Sequence, residues 1–540
     1  MRSLAIAVVA AGIVMPAAAQ RVGPLPPLTA QVEVHVVNVD VSVTDSSGRP
    51  VPDLTRDDFE IFEDGRLQKI TNFAVIRNVT TPASAPAAQQ AKAAPENRRR
   101  ILLIVDNNYL GVVERNQALD TVEKYLDTTF AGEWAVAAIG HSVDMLQSFT
   151  TDRALIHAAL TKARSMPSSE AQHEISRYVL SERFSRKDDE TVPVDYAAKV
   201  AFAAREQTFR NLLTIQNTAR AVVDTARAYS AEDGKKFILL LTGGMESNTS
   251  FTAYEKSNDY EMRELRKQIG EVSDAMVKEA NGANFTVHVI NARARGMASP
   301  QSEVRNHSSG TTSNNMFRNF SNDPIDVTDV DSLPLSIALG TGGMYLPSND
   351  IVGSLRTIDT LTSNFYSLGY SPEHNGDRRY HTIKVRVKRS GVRIANRVGY
   401  FDETPEDRLE EMLRVRTQFD TGFGSLPVHV NIGEAAPGER DLVVPVVAAM
   451  PLARITVIPQ DQNFVGRIHV YCSVFDEKGR NVGFSHKTQE VTLAPQQLSG
   501  QGDFRYTVFV HVKKGTFTIV ITLRDELSNE MGSVSEAVTL

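Results

Sequence analysis

The chain has 540 residues, of which 41% are hydrophobic and 23% are charged, a composition that excludes collagen-like, coiled-coil and wholly disordered proteins. Its 58 basic and 65 acidic side chains leave a net charge of −7, which argues against broad electrostatic binding to nucleic acid or anionic lipid. The single cysteine excludes an intrachain disulfide and a zinc site built from several thiolates. At ~100–200 residues per domain, this length predicts roughly three or four domains.

Residues 1–19 have the pattern of a secretory signal peptide. Arg2 precedes a short apolar run over 4–15, and Ala17-Ala18-Ala19 supplies the small residues typical of a cleavage site. The run is too short to span a bilayer, and we expect no transmembrane segment after the signal is removed. The sequence therefore predicts an exported protein, either periplasmic or extracellular.

Residues 30–77 have the pattern of a small N-terminal β module. The segment 32–43 alternates between apolar and polar residues, as a strand with one buried face does. The segment 58–65 predicts a further strand that closes on an Asp-Gly turn. Residues 78–99 are rich in Thr, Pro, Ala and Gln, and they predict a linker.

Residues 100–401 predict an α/β domain with a doubly wound, mainly parallel sheet. Four continuous apolar runs are typical of strands buried on both faces. They are Ile101–Val105, Val136–Ile139, Phe237–Leu241 and Phe285–Ile290. Helical periods lie between these runs, and strand–helix alternation indicates a parallel sheet covered by helices. Two segments that break the pattern, 165–205 and 294–330, are predicted insertions.

Polar residues follow each of these strands. Ligands of parallel sheets bind beyond the carboxyl ends of the strands. We therefore expect Asp106, His141, Thr242 and Asn291 to gather at one edge of the sheet.

A set of motifs within residues 32–401 matches one known family. The motifs are Val51-Pro-Asp-Leu-Thr-Arg-Asp-Asp-Phe59, Phe62-Glu-Asp-Gly65, the strand ending in Asp106, Lys236-Phe-Ile-Leu-Leu-Leu-Thr242, Gly340-Thr-Gly-Gly343, Phe365-Tyr-Ser-Leu-Gly-Tyr-Ser-Pro372, Ile383-Lys-Val-Arg-Val387 and Arg397-Val-Gly-Tyr-Phe401. Together they resemble the exported Acidobacterial VWFA-related domain family, which is related to the von Willebrand factor type A (VWA) domain. The resemblance implies a VWA-like α/β fold, whose parent binds a divalent cation at a metal-ion-dependent adhesion site.

The residues of that adhesion site are only partly present. The parent pattern is Asp-x-Ser-x-Ser after the first strand, a loop Thr, and Thr-Asp-Gly after a later strand. Here Asp106 is followed by Asn108 and Leu110, and Thr242 is followed by Gly243, so one carboxylate is missing. Since Mg²⁺ needs carboxylate charge and several oxygen ligands, we predict a degenerate site (Asp106, Asn108, Thr242) and no bound cofactor. A weak Mg²⁺ site completed by water is the alternative.

Enzymatic motifs are weak throughout. Gly140-His141-Ser142-Val143-Asp144 is similar to the G-x-S-x-G nucleophile elbow, but Asp144 replaces the second glycine and another strand is predicted over 145–150. Neither Thr242-Gly-Gly-Met nor Thr341-Gly-Gly-Met is a nucleotide-binding loop. The twelve histidines show no ligand spacing. We predict that the chain is not an enzyme, with a serine hydrolase using Ser142 as one alternative.

Residues 402–540 predict a linker helix followed by a second β domain. Thr404-Pro405 is a typical helix start for a linker helix within 402–422. Evenly spaced alternating strands over 423–540 predict an immunoglobulin-like β-sandwich. Cys472 lies on the apolar side of one strand and is predicted to be a buried packing thiol.

These observations predict an exported, non-enzymatic protein that binds a protein or cell-envelope partner without a metal. Within the insertion 294–330, residues 299–322 are rich in Ser, Asn and Thr and nearly devoid of core residues, and long loops of this kind are usually functional or disordered. Because aromatic side chains carry contact energy, its candidate partner-binding residues are Met316, Phe317 and Phe320. The alternatives are a metal-dependent (Mg²⁺ or Mn²⁺) adhesion module with a remodelled site, the Ser142 hydrolase, and a structural scaffold of envelope complexes.

Overall fold

The protein forms two compact units, one over Glu33–Leu409 and the other made of Met1–Val32 together with Glu410–Leu540. The computed structural model describes residues 8–10, 36–77, 98–128, 132–140, 142–169, 194–232, 234–245, 260–292, 332–347, 350–417, 423–438, 441–460, 462–497 and 502–540. Most of the predicted signal peptide and linker, and the partner-binding candidates Met316, Phe317 and Phe320, lie outside the described residues.

The first strand of the chain, β1 (Val8–Ala10), belongs to the second unit. The strands of the first unit are β2 (Val37–Thr44), β3 (Phe59–Glu63), β4 (Arg66–Gln68), β5 (Asn72–Arg77), β6 (Arg99–Asp106), β7 (Glu133–Ile139), β8 (Val143–Thr150), β9 (Lys235–Thr242), β10 (Phe285–Asn291), β11 (Tyr345–Pro347), β12 (Asn364–Tyr370), β13 (Tyr380–Val387), β14 (Arg393–Ala395) and β15 (Gly399–Phe401). Its helices are a 3₁₀ turn (Arg56–Asp58), α1 (Val112–Thr128), α2 (Arg153–Ser165), α3 (Val194–Arg227), α4 (Tyr260–Gly282), α5 (Ser332–Gly340) and α6 (Ile351–Ser363). Helix α7 (Pro405–Arg416) follows at the boundary of the two units.

A six-stranded sheet with the order β11-β10-β9-β6-β7-β8 forms the centre of the first unit. Every neighbouring pair is parallel except β7 and β8, which are antiparallel. The four apolar runs predicted to be strands are confirmed as β6, β7, β9 and β10. Alternate residues of β6 point to opposite faces, and Ile101, Leu103 and Val105 pack with apolar residues of α1, α2 and α6. Helices α4 and α5 contact β10.

The start of α3 changes the predicted insertion at 165–205. The sequence predicted an insertion up to residue 205, yet α3 already begins at Val194. Residues 170–193 lie outside the described part of the chain. Helix α3 is 34 residues long, so the last part of the predicted insertion, 194–205, belongs to this helix.

The N-terminal strands do not form a module by themselves. Strand β2 pairs antiparallel with β12 and β14, and β3 pairs antiparallel with β13. The resulting sheets, β14-β2-β12-β5 and β15-β13-β3-β4, enclose one apolar core. The predicted boundary at 77 is therefore corrected, since strands from 364–401 complete the sandwich and do not belong to the parallel sheet. Strand β2 has valines on its buried face, and its buried backbone groups need hydrogen-bonded partners. Its neighbouring strands, β12 and β14, both follow residue 363.

The second unit contains two antiparallel sheets around a separate core. Its strands, besides β1, are β16 (His429–Ile432), β17 (Ala436–Pro437), β18 (Leu442–Pro451), β19 (Ile458–Gln460), β20 (Asn463–Asp476), β21 (Asn481–Leu493), β22 (Asp503–Val512), β23 (Thr516–Asp525) and β24 (Met531–Thr539), with 3₁₀ turns at Leu452–Arg454 and Pro495–Gln497. The sheets have the orders β1-β22-β18-β16, with β17 on β18, and β19-β20-β23-β24, with β21 on β20. Cys472 is buried in this core, as predicted, and burial raises the pKa of its thiol to about 12.

Among the described residues, none of the helices combines the length and the apolar character that a membrane crossing requires.

Candidate functional site

The carboxyl edge of the parallel sheet brings together two of the residues that the sequence predicted there. Asp106 is the last residue of β6 and Thr242 the last of β9. Because the two strands are parallel neighbours, their carboxyl ends meet. The Thr242 hydroxyl donates a hydrogen bond of 2.9 Å to Oδ2 of Asp106.

The other oxygen of Asp106 is held by protein groups as well. The backbone N–H of Asn108 donates to Oδ1 at 3.1 Å. The Asn108 side chain turns away and donates to the hydroxyl of Thr218 on α3, at 3.2 Å. Asp106, Thr242 and Thr218 have no exposed surface, and Asn108 is 5% exposed. We refer to these four residues as the Asp106 cluster.

Burial dominates the protonation of this carboxyl group. Loss of water raises the pKa of Asp106 to about 7, although the hydrogen bonds from Thr242 and Asn108 act in the opposite direction. Hydroxyl and amide groups cannot compensate a buried carboxylate as a cation does. Near neutral pH this acid is therefore only partly ionised, and both of its oxygens accept hydrogen bonds from protein groups.

Gly243 explains why the second carboxylate of the adhesion-site pattern is missing. A Cβ atom at this position would lie 1.8 Å from the carbonyl oxygen of Tyr109, far inside van der Waals contact. The backbone of the first loop, just after Asp106, therefore occupies the space that an aspartate side chain would need. The sequence has glycine where the adhesion-site pattern has an aspartate, and this contact leaves no room for such a side chain.

A buried guanidinium fixes the loops above this edge. Arg115 donates to Oδ1 of Asn107 at 2.8 Å and to the carbonyl oxygens of Met166 and Arg164 at 2.7 and 2.6 Å. Its side chain is almost fully buried, and burial lowers the pKa of the guanidinium. The backbone N–H of Ser169 donates to the carbonyl oxygen of Asn107 at 2.9 Å. The chain that follows α2 is thus attached directly to the carboxyl edge.

The other residues predicted at this edge have different roles. Asn291 is in register with Thr242, but its side chain donates to the hydroxyl of Tyr345 at 3.1 Å and not to Asp106. His141 lies outside the described residues. The edge therefore contains Asp106 and Thr242 as a hydrogen-bonded pair, with Asn108 directed elsewhere.

The alternative nucleophile, Ser142, lies in a tight turn between antiparallel strands. Strand β7 ends at Ile139 and β8 begins at Val143, and the N–H of Gly140 donates to the Ser142 carbonyl at 2.9 Å. A nucleophile elbow passes from a strand directly into a helix, whereas this turn passes into the strand that the sequence predicted. The geometry of the elbow is absent from these described residues.

A second polar cluster was missed by the sequence analysis. His374, Asp377, His381 and Asp402, which we call the His374 cluster, each place one ligand-type atom within 4.8 Å of the others. The two imidazole rings stack with their centroids 3.8 Å apart. The two histidines have no regular ligand spacing in the sequence, and the loop after β12 brings their rings together in the fold.

The carboxylates of the His374 cluster stay ionised more readily than Asp106. Burial acts to raise the pKa of Asp402, but hydrogen bonds from the N–H of Asp377 and from His374 outweigh it, and the pKa is lowered. A backbone hydrogen bond from Arg379 is the main cause of the lowered pKa of Asp377. Burial would lower the pKa of His381, yet its contacts with Asp64 and Asp377 raise it.

Comparisons with known proteins find similar solved structures but no matching family. No family model and no curated protein matches the chain. Similar solved structures include an aerotolerance-related membrane protein from Bacteroides fragilis (12% identity, 49% of this chain and 98% of that chain, TM-score 0.24). Others are a von Willebrand factor type A protein from Catenulispora acidiphila (10%, 89% and 74%, TM-score 0.17) and three N-terminal domains of the type V pili tip protein Mfa5 from Porphyromonas gingivalis (8%, 94% and 78%, TM-score 0.24). These TM-scores are too low to assign a fold, and the strand pairing of the chain itself defines the architecture.

Proposed function

We propose that this chain is an exported, non-enzymatic VWA-like protein that binds a protein or cell-envelope partner at the carboxyl edge of its parallel sheet, without a metal ion at that edge. The observation that carries the proposal is where the chain leaves this edge. Ser169 is bonded to Asn107, Met245 follows β9, and the N–H of Ala292 donates to the Thr242 carbonyl at 2.9 Å. The segments 170–193, 246–259 and 293–331 all start from these points.

Three chain segments that start from one edge are an arrangement suited to recognition. Binding residues are commonly carried on loops that a rigid scaffold positions, and open parallel sheets bind ligands at this edge. The third segment contains the candidate contact residues Met316, Phe317 and Phe320. The Asp106 cluster, at the edge from which the segments start, is occupied by its own hydrogen bonds, so recognition is assigned to the segments and not to a cation.

The topology also supports the VWA-like interpretation. Asp106 ends a central strand of a mainly parallel sheet whose antiparallel strand, β8, is at one edge. The motif residues Glu63, Tyr370 and Tyr400 meet in the sandwich next to it, where both tyrosine hydroxyls donate to Oε1 of Glu63 at 2.7 and 2.8 Å.

Crosslinking in an envelope extract tests this function. The full chain is compared with a variant that lacks 299–322 and with the triple variant Met316→Ser, Phe317→Ser, Phe320→Ser, each in Mg²⁺-free buffer and with Mg²⁺ added. We expect one partner that both variants lose and that Mg²⁺ does not affect. Asp106→Asn is the matched control, because it changes the carboxyl edge of the sheet and leaves the sequence of the segments unchanged.

Two results would overturn the proposal in favour of its rivals. Capture that requires Mg²⁺ and is lost in Asp106→Ala would establish a metal-dependent adhesion module. Stable modification of Ser142 by a fluorophosphonate probe, absent in Ser142→Ala, would establish a serine hydrolase.

A further inference from the structure

We propose that the His374 cluster is a binding site for a divalent transition metal of the Zn²⁺ type, separate from the carboxyl edge of the parallel sheet. Its four residues come from two places in the chain. His374 and Asp377 lie between β12 and β13, His381 is on β13, and Asp402 directly follows β15. Strands β13 and β15 are hydrogen-bonded neighbours, with His381 opposite Tyr400, so a rigid sheet supports the cluster.

The distances between the ligand-type atoms suit a small tetrahedral ion. Nδ1 of His374 lies 2.8 Å from Oδ2 of Asp402, and Nε2 of His381 lies 3.2 Å from Oδ1 of Asp377. Ligands at about 2.0–2.2 Å from a tetrahedral Zn²⁺ are separated from one another by about 3.3–3.6 Å. Binding would open the His374–Asp402 pair by about 0.5–0.8 Å and the His381–Asp377 pair by about 0.1–0.4 Å. The two imidazole rings, which stack with an interplanar angle of 12°, would also turn so that both nitrogens face one ion.

His381 has the outer partner that metal-bound imidazoles require. Its second ring nitrogen, Nδ1, is hydrogen-bonded to Oδ2 of Asp64 at 2.8 Å. A carboxylate on the far side of a metal-bound histidine fixes the tautomer and increases its basicity. The second nitrogen of His374, Nε2, lies 3.4 Å from Oε2 of Glu63 without a hydrogen bond, so a carboxylate is near this ring as well.

The outer carboxylates are themselves fixed. Glu63 is 5% exposed and accepts hydrogen bonds from Tyr370 and Tyr400. Asp64 accepts from both the N–H and the hydroxyl of Thr382 at 2.9 Å. Asp64 has a φ of +46° and is followed by Gly65 at +79°, a left-handed pair that makes the tight turn between β3 and β4 and brings both carboxylates to the histidines.

The chemistry of the ligands selects the class of metal. Two neutral imidazoles and two carboxylates carry a charge of −2, which a divalent ion neutralises. Imidazole nitrogen suits Zn²⁺, Co²⁺, Ni²⁺ or Cu²⁺, whereas Mg²⁺ and Ca²⁺ prefer oxygen. With all four positions supplied by the protein, the site has the form of a structural metal centre, whose binding energy adds to the stability of the fold.

The competing interpretation is an ion-pair network in which the histidines are protonated and bind no metal. Co²⁺ distinguishes the two, because tetrahedral Co²⁺ has visible d–d absorption that an ion-pair network does not produce. The full chain is freed of metal with a chelator, exchanged into chelator-free buffer, and titrated with Co²⁺ followed by Zn²⁺. We expect tetrahedral bands that appear at one equivalent, disappear on addition of Zn²⁺, and accompany a rise in Tm of several degrees.

Variants assign the signal to the cluster. Asp377→Asn is the main variant, because Asp377 is partly exposed and its substitution leaves the core intact; we expect the affinity for Zn²⁺ to fall at least tenfold. Asp64→Asn removes an outer carboxylate, for which a loss of about 10- to 100-fold is typical. His511→Gln is the matched control, because His511 faces a single aspartate, Asp441, at 3.4 Å in the other unit, and it should bind Zn²⁺ as the unmodified chain does.

Two results would overturn the site. The first is the absence of tetrahedral Co²⁺ bands in the unmodified chain, and the second is equal Zn²⁺ affinity in Asp377→Asn and the unmodified chain. Circular dichroism of each variant confirms that a loss of affinity does not arise from unfolding. Because the crosslinking experiment addresses other residues, either proposal can fail without the other.

Discussion

The Asp106 cluster and the His374 cluster lie in one folded unit, but the pKa values of their carboxyl groups shift in opposite directions. At the edge of the parallel sheet, Asp106 has only hydroxyl and amide partners, so burial drives it towards the neutral acid. In the sandwich, Asp377 and Asp402 face two imidazoles and backbone N–H groups, and the pKa values of both are lowered. The comparison teaches that the partners of a carboxyl group decide whether its pKa rises or falls on folding.

Restoring the missing carboxylate at the sheet edge is expected to have the largest effect. In Gly243→Asp the new Cβ meets the Tyr109 carbonyl oxygen, and we expect a loss of about 3 kcal/mol or more in the free energy of unfolding, at the upper end of overpacking costs. Urea denaturation measures it. Gly140→Asp is the matched control, because a Cβ at Gly140 meets nothing within 4 Å. If Gly243→Asp were as stable as the control and gained Mg²⁺ binding, the edge would be open and the comparison would fail.

The next effect is the pH dependence of Asp106. Its pKa in the folded chain, about 7, lies above the ordinary value of 3.8, so the folded state holds a proton that the unfolded state releases. The resulting stabilisation is complete below pH 3.8 and is lost as the pH rises through 7. Between pH 5 and pH 8 the chain should lose about 2–3 kcal/mol relative to Asp106→Asn. Parallel stability curves for the two proteins would show that Asp106 is ionised at pH 5.

His288 is a buried histidine without a carboxylate partner, and its pKa shifts in the direction opposite to that of His381. His288 on β10 is 3% exposed, and neither ring nitrogen has a hydrogen-bond partner among the described residues. Burial, with a smaller contribution from Arg99, lowers the pKa of His288 to about 3. The neutral ring therefore supports the fold above pH 6.5, and this stability is lost as the pH falls towards 3.

Substitution of His288 measures that loss. Between pH 7 and pH 5 the unmodified chain should lose about 2 kcal/mol relative to His288→Phe, because the unfolded chain takes up a proton that the folded chain refuses. Chemical denaturation at the two pH values gives the difference. An equal pH dependence in both proteins would mean that His288 binds a proton in the folded state.

The smallest expected effect is that of Mg²⁺. About 1 mM Mg²⁺ should leave the Tm unchanged, whereas a site filled at 100 times its dissociation constant would add about 2.7 kcal/mol. Differential scanning calorimetry with and without Mg²⁺ measures the shift. A clear rise that Asp106→Ala abolishes would make the sheet edge a metal site after all.

Much of the parallel sheet and part of its edge could be predicted from the sequence. Continuous apolar runs and the rule that parallel strands end together were sufficient to bring Asp106 and Thr242 to one edge. The contact of Gly243 with Tyr109 and the bond from Asn108 to Thr218 could not be predicted, because both depend on loop paths and helix placement that no periodicity encodes.

The His374 cluster could not be predicted for a different reason. His374 and His381 are seven residues apart, which matches no regular metal motif, and their outer carboxylates come from the turn after β3. Only the pairing of β3 with β13 joins these parts, and alternating apolar residues do not reveal which strand pairs with which. The Asp-Gly turn at 64–65 was visible in the sequence, but its partner was not.

The pairing of β2 with β12 also has a consequence for how the chain is made. The backbone N–H of Leu54 meets the hydroxyl of Tyr366 across 312 residues of sequence, so the first strands leave the ribosome long before their partners. At about 5–20 residues per second, this wait lasts roughly 15 to 60 seconds. During that time β2 and β3 lack the neighbouring strands β12, β13 and β14, and unpaired strand edges are prone to pair with other chains.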